Sequence, residues 1–306
     1  VLRKIIFSKK FSKQKTILYG HRHPLRRPLI INNASAMSSI VSTNDDSILD
    51  HQHSQIIEIN SDLSLSIQSI KRQEMIVRVN TGRIKKGEDI TGLKLWDFGV
   101  QFARYLATKP NFFTNKKIIE LGSGCGTLSL ALAATANQAI SFTITDAAEE
   151  ALSLIELNKE QNKTKLRVPV EVQKCWWTIE EPKQSEPLPI HDIVLGTDLL
   201  YHLTTVESLF ATAIRHMNKE TGVFFLGGMS RYYGTIESIR TAATKLDLSL
   251  QFISLKQMKV PSTEDDDETT SWYCDGMFLA VIAANINAIV PILTALELHV
   301  DDNVTD

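Results

Sequence analysis

The sequence predicts an α/β fold in which helices cover both faces of a mostly parallel β-sheet. Two observations indicate it. From residue 117 to residue 255, short apolar segments of strand length alternate with longer segments whose apolar residues recur at helical spacing. One of the strand segments, residues 117–120, runs directly into a glycine turn and then into a helix. Open α/β sheets place their ligands at such a strand end.

The glycine turn narrows the class of ligand. Gly122, Gly124 and Gly126 alternate along the chain, so the backbone can adopt positive φ and a ligand can approach without meeting a Cβ atom. A dinucleotide fingerprint would need its third glycine where Thr127 stands, and a phosphate loop would need a Gly-Lys-Ser/Thr sequence, which is absent here. The turn therefore matches neither of these two motifs. The helix from Thr127 to about Ala136 consists mainly of Leu and Ala, which predicts tight packing on the sheet.

Before this core, apolar residues recur at every second position from Gln55 to Val79, as in half-buried strands. They form three groups, and we expect an antiparallel hairpin or a small meander: Ile57 and Ile59; Leu63, Leu65 and Ile67; Met75, Val77 and Val79.

A helix is then expected after Trp96, with Phe102, Ala103 and Leu106 at helical spacing and an end before Pro110. Trp96 would be either a core anchor or a wall of a cofactor pocket.

The next strand, residues 140–145, ends at Asp146, and a helix follows through Leu157. Asp146 lies 20 residues after Gly126. Rossmann-like folds place at this point an acid whose oxygens accept from ribose hydroxyls. A helix N-cap would also use Asp here, and the two roles are compatible.

The third and fourth strands are predicted at 168–174 and 191–196. Trp176 and Trp177 follow the third strand, and adjacent residues of an extended segment point to opposite faces, so at least one ring faces a crevice or solvent. After helix 206–217, strand 222–228 and helix 232–246, two more strands are expected at 248–255 and 272–283. The last two lack a crossover helix and should form an antiparallel hairpin.

Composition limits the classes of partner and ligand that we expect. The 306 residues have 43% hydrophobic content and a net charge of −2, which gives no argument for nucleic acid or an anionic membrane as partner. The three cysteines have no metal-ligand spacing, so we expect no metal and a reducing compartment. Residues 277–296 are uncharged, but Asn285, Asn287 and Pro291 interrupt them, and we predict a buried strand and a short helix there.

The first 44 residues contain nine Lys or Arg and no Asp or Glu, and we predict that they are disordered. They would be either a mitochondrial targeting segment or sequence upstream of a start at Met37. The expected organisation is a basic leader (1–50), a β-hairpin extension (51–90), a catalytic domain (91–284) and a C-terminal helix and tail (285–306).

Taken together, these motifs resemble the family-16 protein-lysine methyltransferases. The resemblance covers roughly residues 57–283. It is carried by Leu95-Trp96-Asp97 before a helix, by residues 120–126 with their three glycines, by Asp146, by a Trp after the third strand, and by Asp198-Leu199-Leu200-Tyr201 after the fourth.

The resemblance implies a seven-stranded Rossmann-like methyltransferase fold that uses S-adenosylmethionine. It implies that Asp198 and Tyr201 flank the acceptor site and act in catalysis. Trp177 is the preferred member of the tryptophan pair because a small residue, Thr178, follows it, although Gly is usual there and Ala is frequent at position 197. The residues implied to bind the cofactor are Trp96, Glu120, Gly122, Ser123, Gly124, Gly126, Asp146, Trp176 or Trp177, and Thr197.

The implied function is methyl transfer to a lysine side chain of a protein substrate. A small-molecule methyltransferase and a non-catalytic cofactor-binding scaffold are the alternatives. We expect a monomer with no nucleic-acid or membrane partner. The expected location is cytoplasmic or nuclear, or mitochondrial if the leader is native.

Overall fold

The computed structural model describes residues 52–71, 73–75, 90–180, 188–201, 205–230, 235–258 and 276–301. All of them belong to one compact unit, residues 46–306. The predicted basic leader, residues 1–50, lies outside the described residues.

The N-terminal part forms the expected hairpin. Strands β1 (Gln52–Asn60) and β2 (Leu63–Ile70) pair antiparallel, and their apolar residues, including Ile59, Leu65 and Ile67, are buried. The third apolar group differs from the prediction. Residues 73–75 are helical, with the Met75 N–H donating to Lys71 O, so the alternation at Met75 does not mark a strand; Val77 and Val79 lie outside the described residues.

The main sheet has seven strands, as predicted. Its order is β5-β4-β3-β6-β7-β9-β8, and the pairs are parallel except those that β9 makes with β7 and β8. The strands are β3 (Lys117–Glu120), β4 (Ser141–Asp146), β5 (Val170–Lys174), β6 (Ile193–Thr197), β7 (Val223–Met229), β8 (Ser249–Phe252) and β9 (Met277–Ala283).

Six helices join and cover these strands in the described part of the chain: α1 (Asp97–Ala107), α2 (Thr127–Thr135), α3 (Glu149–Gln161), α4 (Thr205–His216), α5 (Ile236–Lys245) and α6 (Ile289–Leu296). The sheet faces belong to two apolar clusters, one reaching α1, α2 and α3 and the other reaching α4 and α5. Helix α2 is almost entirely buried, which explains why it carries only small and apolar residues.

The C-terminal prediction is confirmed. Residues 277–296 fold into the buried strand β9 and the short helix α6. Within the described ranges, no helix combines the length and apolar character needed to cross a membrane. Strand β9 inserts between β7 and β8, an order that no local sequence pattern encodes.

The strand order determines where in the sheet a ligand site is expected. The chain moves outward from β3 to β4 and β5, and then returns to β6 on the other side of β3. This reversal leaves a crevice at the carboxyl ends of β3 and β6, where α/β sheets bind ligands.

Candidate active site

The glycine turn after β3 has the predicted backbone. Gly122, Gly124 and Gly126 have φ values of 62°, 56° and 74°. The space above Gly122 and Gly124 differs from the expectation, because protein atoms occupy it. A Cβ at Gly122 would lie 2.6 Å from the Trp177 ring, and one at Gly124 would lie 2.5 Å from Gly92 O. These two glycines therefore allow two other chain segments to close on the turn.

Asp146 lies at the carboxyl end of β4 and joins the turn directly. Its Oδ2 accepts from Gly124 N–H at 3.0 Å, and its Oδ1 accepts from Ala148 N–H at 3.1 Å. Ala148, not Asp146, is the N-cap residue of α3. The half-buried carboxylate thus has one oxygen on the glycine turn and the other on the entrance to the helix.

Ser123 fixes the turn to the sheet. Its backbone N–H and its Oγ both donate to Thr145 O, at 2.9 and 3.1 Å. Gly126 N–H donates back to Ser123 O at 2.8 Å, and Thr145 Oγ1 donates to Glu120 O at 2.8 Å. The strand ends of β3 and β4 are therefore locked to each other through the turn.

Glu120 is 2% exposed and faces the interior of the protein. Its Oε2 accepts from the backbone N–H of Ser129, in the first turns of α2, at 3.1 Å. Burial raises the pKa of this carboxyl to about 7, although the hydrogen bonds with Ser129 favour the charged form. The position of Glu120 fits a residue that anchors α2 beneath the turn, whereas Asp146 presents the more accessible carboxylate.

The two tryptophans after β5 differ in environment. Trp177 packs on Gly122 and on the buried cluster of α4 and α5, whereas Trp176 is 62% exposed with Lys174 Nζ 5.7 Å from its ring centroid. The structure thus puts Trp177, and not Trp176, against the glycine turn.

The segment that carries Trp177, residues 175–180, is fastened to α4. Thr178 N–H donates to Thr212 Oγ1 at 3.0 Å. The Arg215 guanidinium donates to Thr178 O and Ile179 O, both at 3.0 Å. This fastening holds the Trp177 ring over the turn.

Trp96 precedes α1 and is half-buried. Its Nε1 donates to Thr91 O at 3.0 Å, and Lys94 Nζ lies 3.9 Å from its ring centroid. The neighbouring segment reaches the glycine turn through Gly92 and through the Cys125 thiol, which donates to Leu93 O at 3.3 Å. Trp96 is therefore attached to the segment that covers the turn.

The residues after β6 lie on the other side of the switch point. Asp198 adopts a left-handed backbone with φ 56°, and its N–H donates to Gly227 O at 2.8 Å. It lines a shallow cleft with Gly228 and Phe278. Thr197 lies close to Gly99, where an added Cβ would be 3.1 Å from Thr197 Oγ1. Tyr201 is half-buried, with its N–H donating to Leu199 O at 3.1 Å.

Leu199 links the glycine turn to the residues that follow β6, because a Cβ at Gly122 would lie 2.8 Å from Leu199 Cδ2. Three residues that contact the turn or hold a segment over it were missed at the sequence level: Gly92, Arg215, and Asn158, whose Nδ2 donates to Cys125 O at 2.9 Å. A lone glycine, an amide and a cation give no signal by spacing alone. For Asn158, the i, i+4 repeat with Asn162 on one helix was the signal available.

Comparison with known proteins agrees with this geometry. The model of a family described as lysine methyltransferase matches residues 82–233. A UPF0665 family protein from Schizosaccharomyces pombe is 28% identical over 136 residues, which cover 42% of this chain and 40% of that protein.

Two relatives from Xenopus tropicalis are also 28% identical. Protein N-lysine methyltransferase METTL21A matches over 139 residues, or 45% of this chain and 60% of the relative. EEF1A lysine methyltransferase 3 matches over 142 residues, or 46% of this chain and 60% of the relative. The matched region thus spans 40 to 60% of the length of these relatives. The family match and the strand ends that carry the family's motifs show that residues 82–233, just under half of the chain, are similar to the lysine methyltransferases.

Proposed function

We propose that this protein transfers a methyl group from S-adenosylmethionine to a lysine side chain of a protein substrate. The observation that supports it most is the joining of Asp146 to Gly124 N–H at the carboxyl end of the sheet, with Asp198 across the switch point. The family match and the two Xenopus relatives, which are both named as lysine methyltransferases, support the same reaction.

The residues around the glycine turn fit the cofactor. Each oxygen of Asp146 accepts one backbone N–H, and a carboxylate oxygen can accept a second hydrogen bond, as a ribose hydroxyl would supply. At the start of α2, the Thr127 hydroxyl is buried and has no hydrogen-bond partner among the described residues, which leaves a donor beside the turn. When bound, the cofactor supplies an electrophilic methyl group and a positive sulfonium.

In this proposal, Asp198 and Tyr201 serve the acceptor. Methyl transfer to an amine is an in-line displacement, so holding the reacting atoms in line provides a large part of the acceleration. A lysine with a pKa of about 10.4 must also lose its proton, which costs roughly 4.6 kcal/mol at pH 7.

The Asp198 carboxylate favours the ammonium form, so its role is to capture and aim the charged lysine. Loss of solvent around the amine in the acceptor channel would lower its pKa, so that its proton leaves to bulk water before the transfer. The Tyr201 side chain would hold the neutral amine by a hydrogen bond or line its channel with the ring face. We further propose that the enzyme acts as a monomer in the cytoplasm or the nucleus, or in mitochondria if the basic leader is native.

The test is incubation of purified protein with radiolabelled S-adenosylmethionine and a lysate of its source cells, read by gel and autoradiography. We compare wild type, Asp198→Ala and Glu220→Ala, the last being an exposed acid in the turn before β7. The expected result is a discrete labelled protein band in wild type and Glu220→Ala that is lost in Asp198→Ala. Amino-acid analysis of the band should yield methyl-lysine.

Labelling that is equal in all three proteins would remove Asp198 from the mechanism. Wild type that binds the cofactor by calorimetry but labels no protein would contradict a protein substrate and favour a small-molecule acceptor or a scaffold.

A further inference from the structure

Two buried asparagines, one on α3 and one just after it, attach the N-terminal hairpin to the main domain. Asn158 and the residue just after the helix, Asn162, are both 0% exposed. Asn162 Oδ1 accepts from Ser66 N–H at 2.9 Å, and its Nδ2 donates to Ser66 O at 2.7 Å. Asn158 repeats this pattern on Gln68, at 2.7 and 3.1 Å. The two side-chain amides therefore form hydrogen bonds with the backbone groups of Ser66 and Gln68, on the edge of β2 that faces away from β1.

The spacing explains why two asparagines can do this. Residues i and i+4 of a helix are separated by about 6 Å along its axis. Residues i and i+2 of a strand lie about 6.6 to 6.8 Å apart and point the same way. Each amide has a carbonyl and an N–H in the arrangement of a peptide group, so the pair substitutes for a neighbouring strand.

Asn158 makes one further contact, with the glycine turn that is proposed to bind the cofactor. Its Nδ2 also donates to Cys125 O at 2.9 Å, whereas the further bond of Asn162 Nδ2 goes to Asn158 O, within the helix, at 2.8 Å. The peptide between Cys125 and Gly126 is then fixed at both ends, since Gly126 N–H donates to Ser123 O. The preceding residue in this turn, Gly124, is the one that binds Asp146.

We propose that Asn158 is a positioning residue that fixes the backbone of the cofactor-binding turn and ties it to the hairpin. This inference rests on the proposed function, because it takes the turn to bind S-adenosylmethionine. Asn158 would act through the backbone of the turn, without touching the cofactor.

Asn158→Ala and Asn162→Ala provide a matched pair. Each removes three hydrogen bonds from the same side of α3, two of them to β2, and only Asn158→Ala removes one to the turn. The first readout is amide hydrogen exchange of residues 122–126 in the protein without cofactor. We expect roughly tenfold faster exchange in Asn158→Ala and a change of less than about twofold in Asn162→Ala, from the loss of one buried hydrogen bond.

The second readout is the dissociation constant for S-adenosylhomocysteine by calorimetry, with the expected rise of about tenfold confined to Asn158→Ala. Equal effects of the two substitutions in both readouts would overturn the proposal, since both would then be acting through stability. If Asn158→Ala does not fold, the pair Asn158→Ser and Asn162→Ser is measured in its place. Failure of wild type to bind S-adenosylhomocysteine would contradict the proposed function, and hydrogen exchange would still decide the link between hairpin and turn.

Discussion

Two buried titratable residues, Glu120 and His191, have pKa values shifted in opposite directions by burial. Glu120 ends β3 beneath the glycine turn, and its pKa is raised to about 7. His191 precedes β6 at the other end of the sheet, with its Nε2 3.1 Å from Thr143 Oγ1, and its pKa is lowered to about 4. Both residues favour their neutral forms in the folded state, and each makes stability depend on pH.

Replacing Glu120 by Gln should remove one pH-dependent part of stability. The folded carboxyl binds its proton more tightly than the unfolded one, so its contribution is full below pH 4.5 and is lost as pH rises to about 7. The loss is about 3 kcal/mol. Between pH 5 and pH 8, the free energy of unfolding of wild type should therefore fall by more than that of Glu120→Gln, measured by urea titration. A difference that is independent of pH would show that the carboxyl ionises normally.

His191→Gln should reveal the opposite dependence. The unfolded imidazole takes up a proton near pH 6.5 and the folded one near pH 4, so the contribution of His191 is present above pH 6.5 and is lost as pH falls toward 4. The loss approaches about 3 kcal/mol. Urea titrations from pH 7 to pH 4 should show a smaller decline in the variant. The pH ranges over which Glu120 and His191 change the free energy of unfolding overlap, and the two changes have opposite signs. They therefore partly cancel in wild type. His299→Gln serves as a control for the replacement of a histidine.

At the scale of elements, the segment 175–180 connects α4 with the glycine turn. We predict that Arg215→Ala releases this segment, because one guanidinium holds the carbonyls of Thr178 and Ile179. Charged hydrogen bonds of this kind contribute about 1.5 to 3 kcal/mol. With Trp177 no longer held over Gly122, affinity for S-adenosylhomocysteine should fall at least about tenfold, measured by calorimetry.

The matched control is Arg240→Ala on α5, whose guanidinium stacks 4.8 Å from the Phe252 ring centroid, away from this segment. Affinity that stays at the wild-type value in Arg215→Ala would mean that the Trp177 ring is held by packing alone.

The elements were predictable because apolar periodicity reports which faces of a strand or helix are buried. The helix after Trp96 and the strand that ends at Asp146 were placed within a few residues of their observed bounds. Periodicity does not report hydrogen bonds between distant segments. Asn158 and Asn162 look like the solvent side of a helix in sequence, yet they are buried and paired with backbone 90 or more residues away. For the same reason, the helical turn at Met75 could not be distinguished from a third strand.

At the scale of the whole molecule, cofactor binding should stabilise the fold. A ligand present at 100 times its dissociation constant contributes about 2.7 kcal/mol, which raises the melting temperature of a domain of this size by roughly 5 to 10 °C. We expect this shift with S-adenosylhomocysteine in wild type by differential scanning calorimetry. Adenosine diphosphate at the same concentration should have no effect.

Gly124→Ala provides the control within the protein, since its Cβ would meet Gly92 O at 2.5 Å and its φ is left-handed. It should melt lower and lose the shift. Gly276→Ala has the strained φ without the clash, as its nearest neighbour is 3.9 Å away, and should keep the shift. A full shift in Gly124→Ala would place the cofactor elsewhere.

The global topology was also predicted only in part. Alternating strands and helices determine a parallel sheet with helices on both faces, and the seven-stranded fold follows from the resemblance. The position of β9 between β7 and β8 depends on packing among Phe278, Ala280 and Phe252, none of which has a local signature. At the site, the glycine turn was evident from sequence, but its coverage by Gly92 and Trp177 required the tertiary structure.

The left-handed backbone of Asp198, together with its proposed role in catalysis, implies a conflict between thermal stability and activity. A left-handed backbone costs a residue other than glycine about 1 to 2 kcal/mol of conformational free energy, and somewhat less for Asp. Here the hydrogen bond from Asp198 N–H to Gly227 O holds Asp198 in this conformation. Asp198→Gly should therefore give a protein that survives heating better and methylates nothing. A laboratory selection that rewards thermal resistance alone would discard this aspartate, and only a selection that also demands turnover would retain it.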